Sequence, residues 1–104
     1  MLINKSRVSE GDIIALKLVN GDEIVAKLVK DNGDSWELDR PCTVMPSAQG
    51  IGLIQSLFTA DPKITINISK THVIMHAPVI SQMETHYIQT TTGIQQVSKG
   101  SIIT

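Results

Sequence analysis

Apolar and polar residues alternate along much of this chain, with the period of strands. In the segment 12–19, Ile14, Leu16 and Leu18 share one face, and Ala15 and Lys17 share the other. The segment 24–30 repeats the pattern, with Ile24, Ala26 and Leu28 set against Val25, Lys27 and Val29. Between them stands Asn20-Gly21, the strongest short hairpin signal. The faces decide how long the loop is. A two-residue Asn20-Gly21 loop sets Leu16 opposite Val25 and sends the second apolar set to the wrong side of the sheet. A three-residue loop, Val19-Asn20-Gly21, sets Leu16 opposite Ile24 and Ile14 opposite Ala26. It also pairs Lys17 with Glu23 across the strands. Gly21 then takes the left-handed position of a type I turn with a bulge, which predicts a strongly twisted hairpin.

The next turn signal is Asp31-Asn32-Gly33-Asp34, followed by an alternating segment, Ser35 to Asp39, with Trp36 and Leu38 inward. Pro41 limits the pairing there, because it has no N–H to give to a ladder. Residues 42–46 continue the strand past a bend, and 47–50 make a turn. The segment 52–58 is apolar without clear alternation and fits a strand or a short buried helix, with the strand favoured. Asp61-Pro62-Lys63 breaks the chain. Ile64, Ile66 and Ile68 then alternate with Thr65, Asn67 and Ser69 as a half-buried strand. Ser69-Lys70-Thr71 turns it, and His72 to His76 forms the last strand. Strands this short and this closely spaced predict a small barrel or a strongly bent sheet. Ser81 to Glu84 has capping-box form and opens a helix over about 81–91, with Met83 and Tyr87 one turn apart. Thr90 to Gly93 is expected to end it. In the tail 94–104, Ile102-Ile103 either adds a strand or belongs to a disordered end. The whole reads as one domain over 1–104, with a core of about 12–76.

Composition narrows the function classes. The 104 residues are 41% apolar and 18% charged, the balance of a globular domain and not of a disordered chain. A domain of this size buries roughly 60–70% of the surface its unfolded chain exposes. The net charge of −1 argues against a general nucleic-acid coat but leaves room for a local basic site. The only aromatics, Trp36, Phe58 and Tyr87, are too few for a base-stacking platform. A single cysteine, Cys42, makes no internal disulfide, and the N-terminus does not read as a signal peptide. Both point to a reducing, cytoplasmic setting. No apolar run reaches the roughly 20 residues that span a bilayer.

The candidate chemistries weaken on inspection. On one strand, His72 and His76 stand about 13 Å apart, too far for a shared metal. Asp31, Asp34 and Asp39 lack the remainder of a calcium loop. There is no Gly-x-Ser-x-Gly elbow and no phosphate-cradling glycine loop, and Cys42 has no nucleophile motif around it. The expectation is a non-enzyme with no cofactor and no metal.

Two segments together carry a family resemblance. The run Leu16-x-Leu18-x-Asn20-Gly21-x-x-Ile24-x-Ala26-x-Leu28 resembles the first motif of the Sm-like (Lsm) proteins, with Ala26 where the family usually has glycine. The run Ile66 to Ile74 resembles the second motif: an apolar strand, a short basic loop, then a strand opening on Val73. The likeness covers about 12–76 with a long middle, 40–63. The layout, helix included, is similar to small Sm-like proteins of marine phage origin. The fold this implies is mainly β: a small, strongly bent, five-stranded antiparallel Sm-like or SH3-like barrel with a short C-terminal helix. The resemblance also implies a homo-oligomeric ring joined edge to edge, in the host cytoplasm if phage-encoded, binding single-stranded RNA. The RNA residues it implies are Asp31, Asn32 and Ser35 in the loop between strands 2 and 3. In the loop between strands 4 and 5 they are Ser69, Lys70, Thr71 and His72. Here Ser35 replaces the family's asparagine, and Lys70 stands without its Arg-Gly pair. The rival expectations are a structural or protein-interaction ring that binds no nucleic acid, and a monomeric SH3-like peptide adaptor, whose aromatic groove is missing.

Overall fold

The computed structural model describes residues 8–48, 50–57 and 59–98, with helix side chains as far as Thr92. Phe58 and the expected tail strand at Ile102-Ile103 lie outside the described residues. The elements are β1 (Ile13–Leu18), β2 (Glu23–Asp31), β3 (Ser35–Ser47), β4 (Gly50–Gln55), β5 (Ile66–Ser69), β6 (Val73–Pro78) and α1 (Ser81–Ser98). A single 3-10 turn, Lys70–His72, joins β5 to β6. His72 therefore belongs to a turn and not to the last strand.

All pairings are antiparallel, in one sheet ordered β4-β3-β2-β1-β6, with β5 also on β3. The expected five-stranded barrel is corrected on two points. The sheet has six strands, and it does not close, since β5 and β6 form no pairing among the described residues. The extra strand arises because β3 is thirteen residues long and changes partner along one edge. Ser35–Leu38 pair with β5, and Cys42–Ser47 pair with β4. Among the described residues no helix is long and apolar enough to cross a membrane.

The β1–β2 register is the one the face arithmetic requires. Leu16 opposes Ile24, Ile14 opposes Ala26, and Lys17 opposes Glu23. Leu18 N–H bonds the Asp22 carbonyl at 2.8 Å, leaving Val19-Asn20-Gly21 as the loop. Gly21 has φ +96°, a region that glycine enters without steric cost. Asn20 Oδ1 accepts the Asp22 N–H at 3.0 Å and fixes the turn.

A bulge at Arg40-Pro41 decides the rest of the fold. Val25 opposes Cys42 and Lys27 opposes Asp39, so two residues of β3 face the single Ala26 of β2. Arg40 adopts φ +46° to make the bend, and Pro41 falls where no ladder N–H is needed. On an unbroken strand, residues four apart share a face. Here Leu38 and Cys42 point to opposite faces. Leu38 joins Ile14, Leu16, Ile24, Ala26, Leu28 and Trp36 inside the bend of the sheet. Cys42 joins Ile13, Val25 and Tyr87 in a second cluster on the other side. Val44, Leu53, Val79 and Met83 pack around that second cluster. Each fully buried aliphatic side chain contributes roughly 1.5–3 kcal/mol to folding.

Helix α1 supplies Tyr87 and Met83 to the second cluster, one turn apart as the spacing predicts. Its start and end differ from expectation. The N–H groups of Met83 and Glu84 both bond the Ile80 carbonyl, so Ser81 lies inside the first turn and is not its cap. The helix also continues past Gly93 to Ser98. The threonine hydroxyls along it bond back to helix carbonyls. Thr91 Oγ1 donates to the Tyr87 carbonyl at 2.9 Å, and Thr92 Oγ1 to that of Ile88 at 2.8 Å.

Candidate nucleic-acid interface

The two turns singled out in the sequence meet at one end of the sheet. The β2–β3 turn is tight: Asn32 N–H bonds the Ser35 carbonyl at 2.9 Å, and Gly33 takes φ +94°. The β3–β5 register sets Ser35 opposite Ser69, which brings the 3-10 turn alongside. Lys70 N–H then bonds the Asp34 carbonyl at 3.0 Å. Ser69 caps its own turn, its hydroxyl accepting the Thr71 N–H and lying 2.9 Å from Thr71 Oγ1. The His72 carbonyl accepts Val19 N–H at 2.9 Å, tying this turn to the opening hairpin.

Side chains complete the junction. Lys70 Nζ lies 2.8 Å from Asp31 Oδ1 and 4.8 Å from the Trp36 ring centroid. Asp31 Oδ1 also accepts the Gly33 N–H at 2.9 Å, as an aspartate does at the head of an Asx turn. The hydrogen bond from Lys70, and after it that from Gly33, hold the Asp31 carboxyl below the usual aspartate range. Asp31 is therefore ionised through neutral pH. The His76 ring meets Trp36 edge to face, centroids 5.0 Å apart at 63°. Val8, Asp31, Trp36, Lys70, Val73 and His76 together line an open cleft of about 270 Å³. Trp36 is 4% exposed, and its indole N–H has no hydrogen-bond partner among the described residues.

Of the seven residues expected to form the site, only Asp31 and Lys70 line the cleft. Asn32, Ser35, Ser69, Thr71 and His72 shape the two turns around it. Trp36 and His76 were not foreseen as site residues. Trp36 was legible as an inward residue, but its contact with Lys70 follows from the β3–β5 register. His76 reaches Trp36 because it opposes Leu16, which turns it toward the inner face.

The arrangement offers a cation, an imidazole and an apolar wall. Among the described residues there is no group of three or more His, Cys, Asp or Glu side chains able to hold a metal ion. Lys70 can take an anionic group in place of Asp31, and the exposed His76 ring can accept a flat base on its free face. No protein-family model matches this chain, and a search of curated proteins finds none similar to it.

Proposed function

We propose that this chain is a non-catalytic Sm-like protein that forms a homo-oligomeric ring and binds single-stranded RNA at the cleft between residues 31–35 and 69–72. The observation that carries the reading is the meeting of Asp31 and Lys70, 39 residues apart in sequence, beside Trp36 and His76. The two turns that the Sm-like motifs single out lie side by side, which supports reading them as one site. Lys70 supplies a phosphate contact and His76 a stacking surface. The outer edges of β5 and β6 carry no strand partner among the described residues, so a neighbouring copy can pair there. A ring would repeat a single lysine several times, and such repetition raises affinity without new chemistry.

The test is fluorescence anisotropy of labelled oligo-U and oligo-A at low and high salt, with the emission of Trp36, the chain's one tryptophan, recorded alongside. Binding should weaken as salt rises, shift the Trp36 emission, and fall at least fivefold in Lys70→Ala. Absence of binding at low salt refutes the RNA reading. A structural ring without nucleic acid is then the better account. It is favoured by the neutralisation of Lys70 by Asp31 and by the 58% and 62% exposure of Ile74 and Met75 on β6.

A further inference from the structure

No Asp, Glu, Lys or Arg occurs between Arg40 and Asp61, although the chain as a whole is 18% charged. The structure folds much of this stretch into a hairpin of β4 on the second half of β3, in unbroken register from Cys42–Gln55 to Ser47–Gly50. β4 ends the sheet, and its outer edge has no strand partner among the described residues. The hairpin is apolar well beyond what α1 covers. Val44 and Leu53 pack at the second cluster, but Met45, Ile51, Ile54 and Leu57 are 44%, 52%, 38% and 48% exposed. An end strand of a monomeric protein is normally guarded by lysine, proline or a bulge. The sequence of β4, Gly-Ile-Gly-Leu-Ile-Gln, contains none of these guards.

We propose that the outer edge of β4 pairs antiparallel with β4 of a second copy of this chain, about a two-fold axis normal to the sheet. The missing charge argues for a copy over any other occupant. A two-fold contact sets the central residue opposite its own counterpart and its neighbours within a few residues of theirs, so a charge near the centre of this edge would lie close to its like. An edge free of charge satisfies that condition, whereas a nucleic acid or a charged protein finds nothing there to hold. The geometry also limits the register. Directly opposed residues share a face, so the pairing centres on a residue, with Gly52 opposite Gly52 or Leu53 opposite Leu53. A six-residue edge is small beside the roughly 800 Å² per partner of a standard interface, so the dimer depends on concentration. The contact is independent of RNA and of pairing through β5 and β6, and it links one such assembly to another.

Sedimentation velocity on the full chain over a hundredfold concentration range tests this, using the wild type, Ile51→Lys/Ile54→Lys and Met75→Lys. The double variant should reach half the mass of the wild type at the highest concentration, with an unchanged far-ultraviolet spectrum. Met75→Lys should keep the twofold step in mass. Equal masses for wild type and double variant at every concentration overturn the proposal. Loss of that step in Met75→Lys as well as in the double variant also overturns it, because β4 then pairs head to tail with β6. If the double variant does not fold, hydrogen exchange of the Gly50–Gln55 amides in the wild type decides. Exchange that slows as concentration rises supports self-pairing, and exchange that does not change refutes it.

Discussion

Tyr87 holds the helix to the bulge, and removing its hydroxyl measures how much that bond is worth. The phenol donates to the Asp39 carbonyl at 2.6 Å and lies 3.1 Å from that of Arg40. The Arg40 carbonyl also receives the Cys42 thiol at 3.6 Å. Tyr87→Phe keeps the buried ring and deletes only the donor, so no large cavity forms. A net hydrogen bond contributes about 0.5–1.5 kcal/mol, and a buried carbonyl left without its donor costs about 1–3 kcal/mol. Asp39 and Arg40 are only partly buried, so the lower part of that range applies, about 1–2 kcal/mol. For a domain near this size, each kcal/mol moves Tm by roughly 4–8 °C. Tyr87→Phe should therefore melt about 5–15 °C below wild type, followed by far-ultraviolet circular dichroism with a parallel urea titration. A Tm within about 2 °C of wild type would mean that the hydroxyl loses nothing to water, and the docking account would fail.

The same substitution carries a pH signature of definite sign. Burial, followed by the charge of Asp39, pushes the Tyr87 phenol above its ordinary value. A folded-state value above the unfolded one means that the native state retains a proton the unfolded chain has released. The stabilisation is complete below the unfolded value of about 10 and declines as pH rises beyond it. Wild type should lose stability from about pH 10 upward, and Tyr87→Phe should lose less over that window.

Other perturbations separate the two cores, the turns and the cleft. Leu16→Ala empties a fully buried position in the inner cluster and should cost about 2–5 kcal/mol in urea unfolding. Gly21→Ala places a side chain at φ +96°, where the loop has open space but the backbone is strained; it should cost about 1–2 kcal/mol in the same assay. Burial pushes the Cys42 thiol up to about 11, so an aromatic disulfide reagent at pH 8 should label it only after denaturant is added. Because this value is also raised, the thiol's share of stability is complete below the unfolded value near 8.5 and declines as pH rises through 11. Asp31→Asn frees Lys70 from a partly exposed ion pair and should tighten oligonucleotide binding a few-fold in the anisotropy assay.

The sequence was most legible where its period was unbroken. Leu16, Leu18, Ile24, Ala26 and Leu28 fixed the register of β1 on β2, because a one-residue slip would have turned an entire apolar set to the wrong face. The reading failed where the period shifts. Nothing but Pro41 marks the bulge, yet one added residue sends Leu38 and Cys42 to opposite faces and opens a second core. The spacing of Met83 and Tyr87 predicted an apolar helix stripe, but the surface it covers exists only because of that bulge. The cleft depends on register in the same way. Asp31 and Lys70 were readable as turn residues. Their ion pair exists because β5 lies on β3 with Ser35 opposite Ser69 and Trp36 opposite Ile68. A slip of β5 by one residue would break the Lys70 N–H bond to Asp34, carry the ammonium away from Trp36, and turn Ile68 out of the inner cluster. The apolar side chains of β5 thus hold the cation in place, so core packing and the candidate site rest on one register.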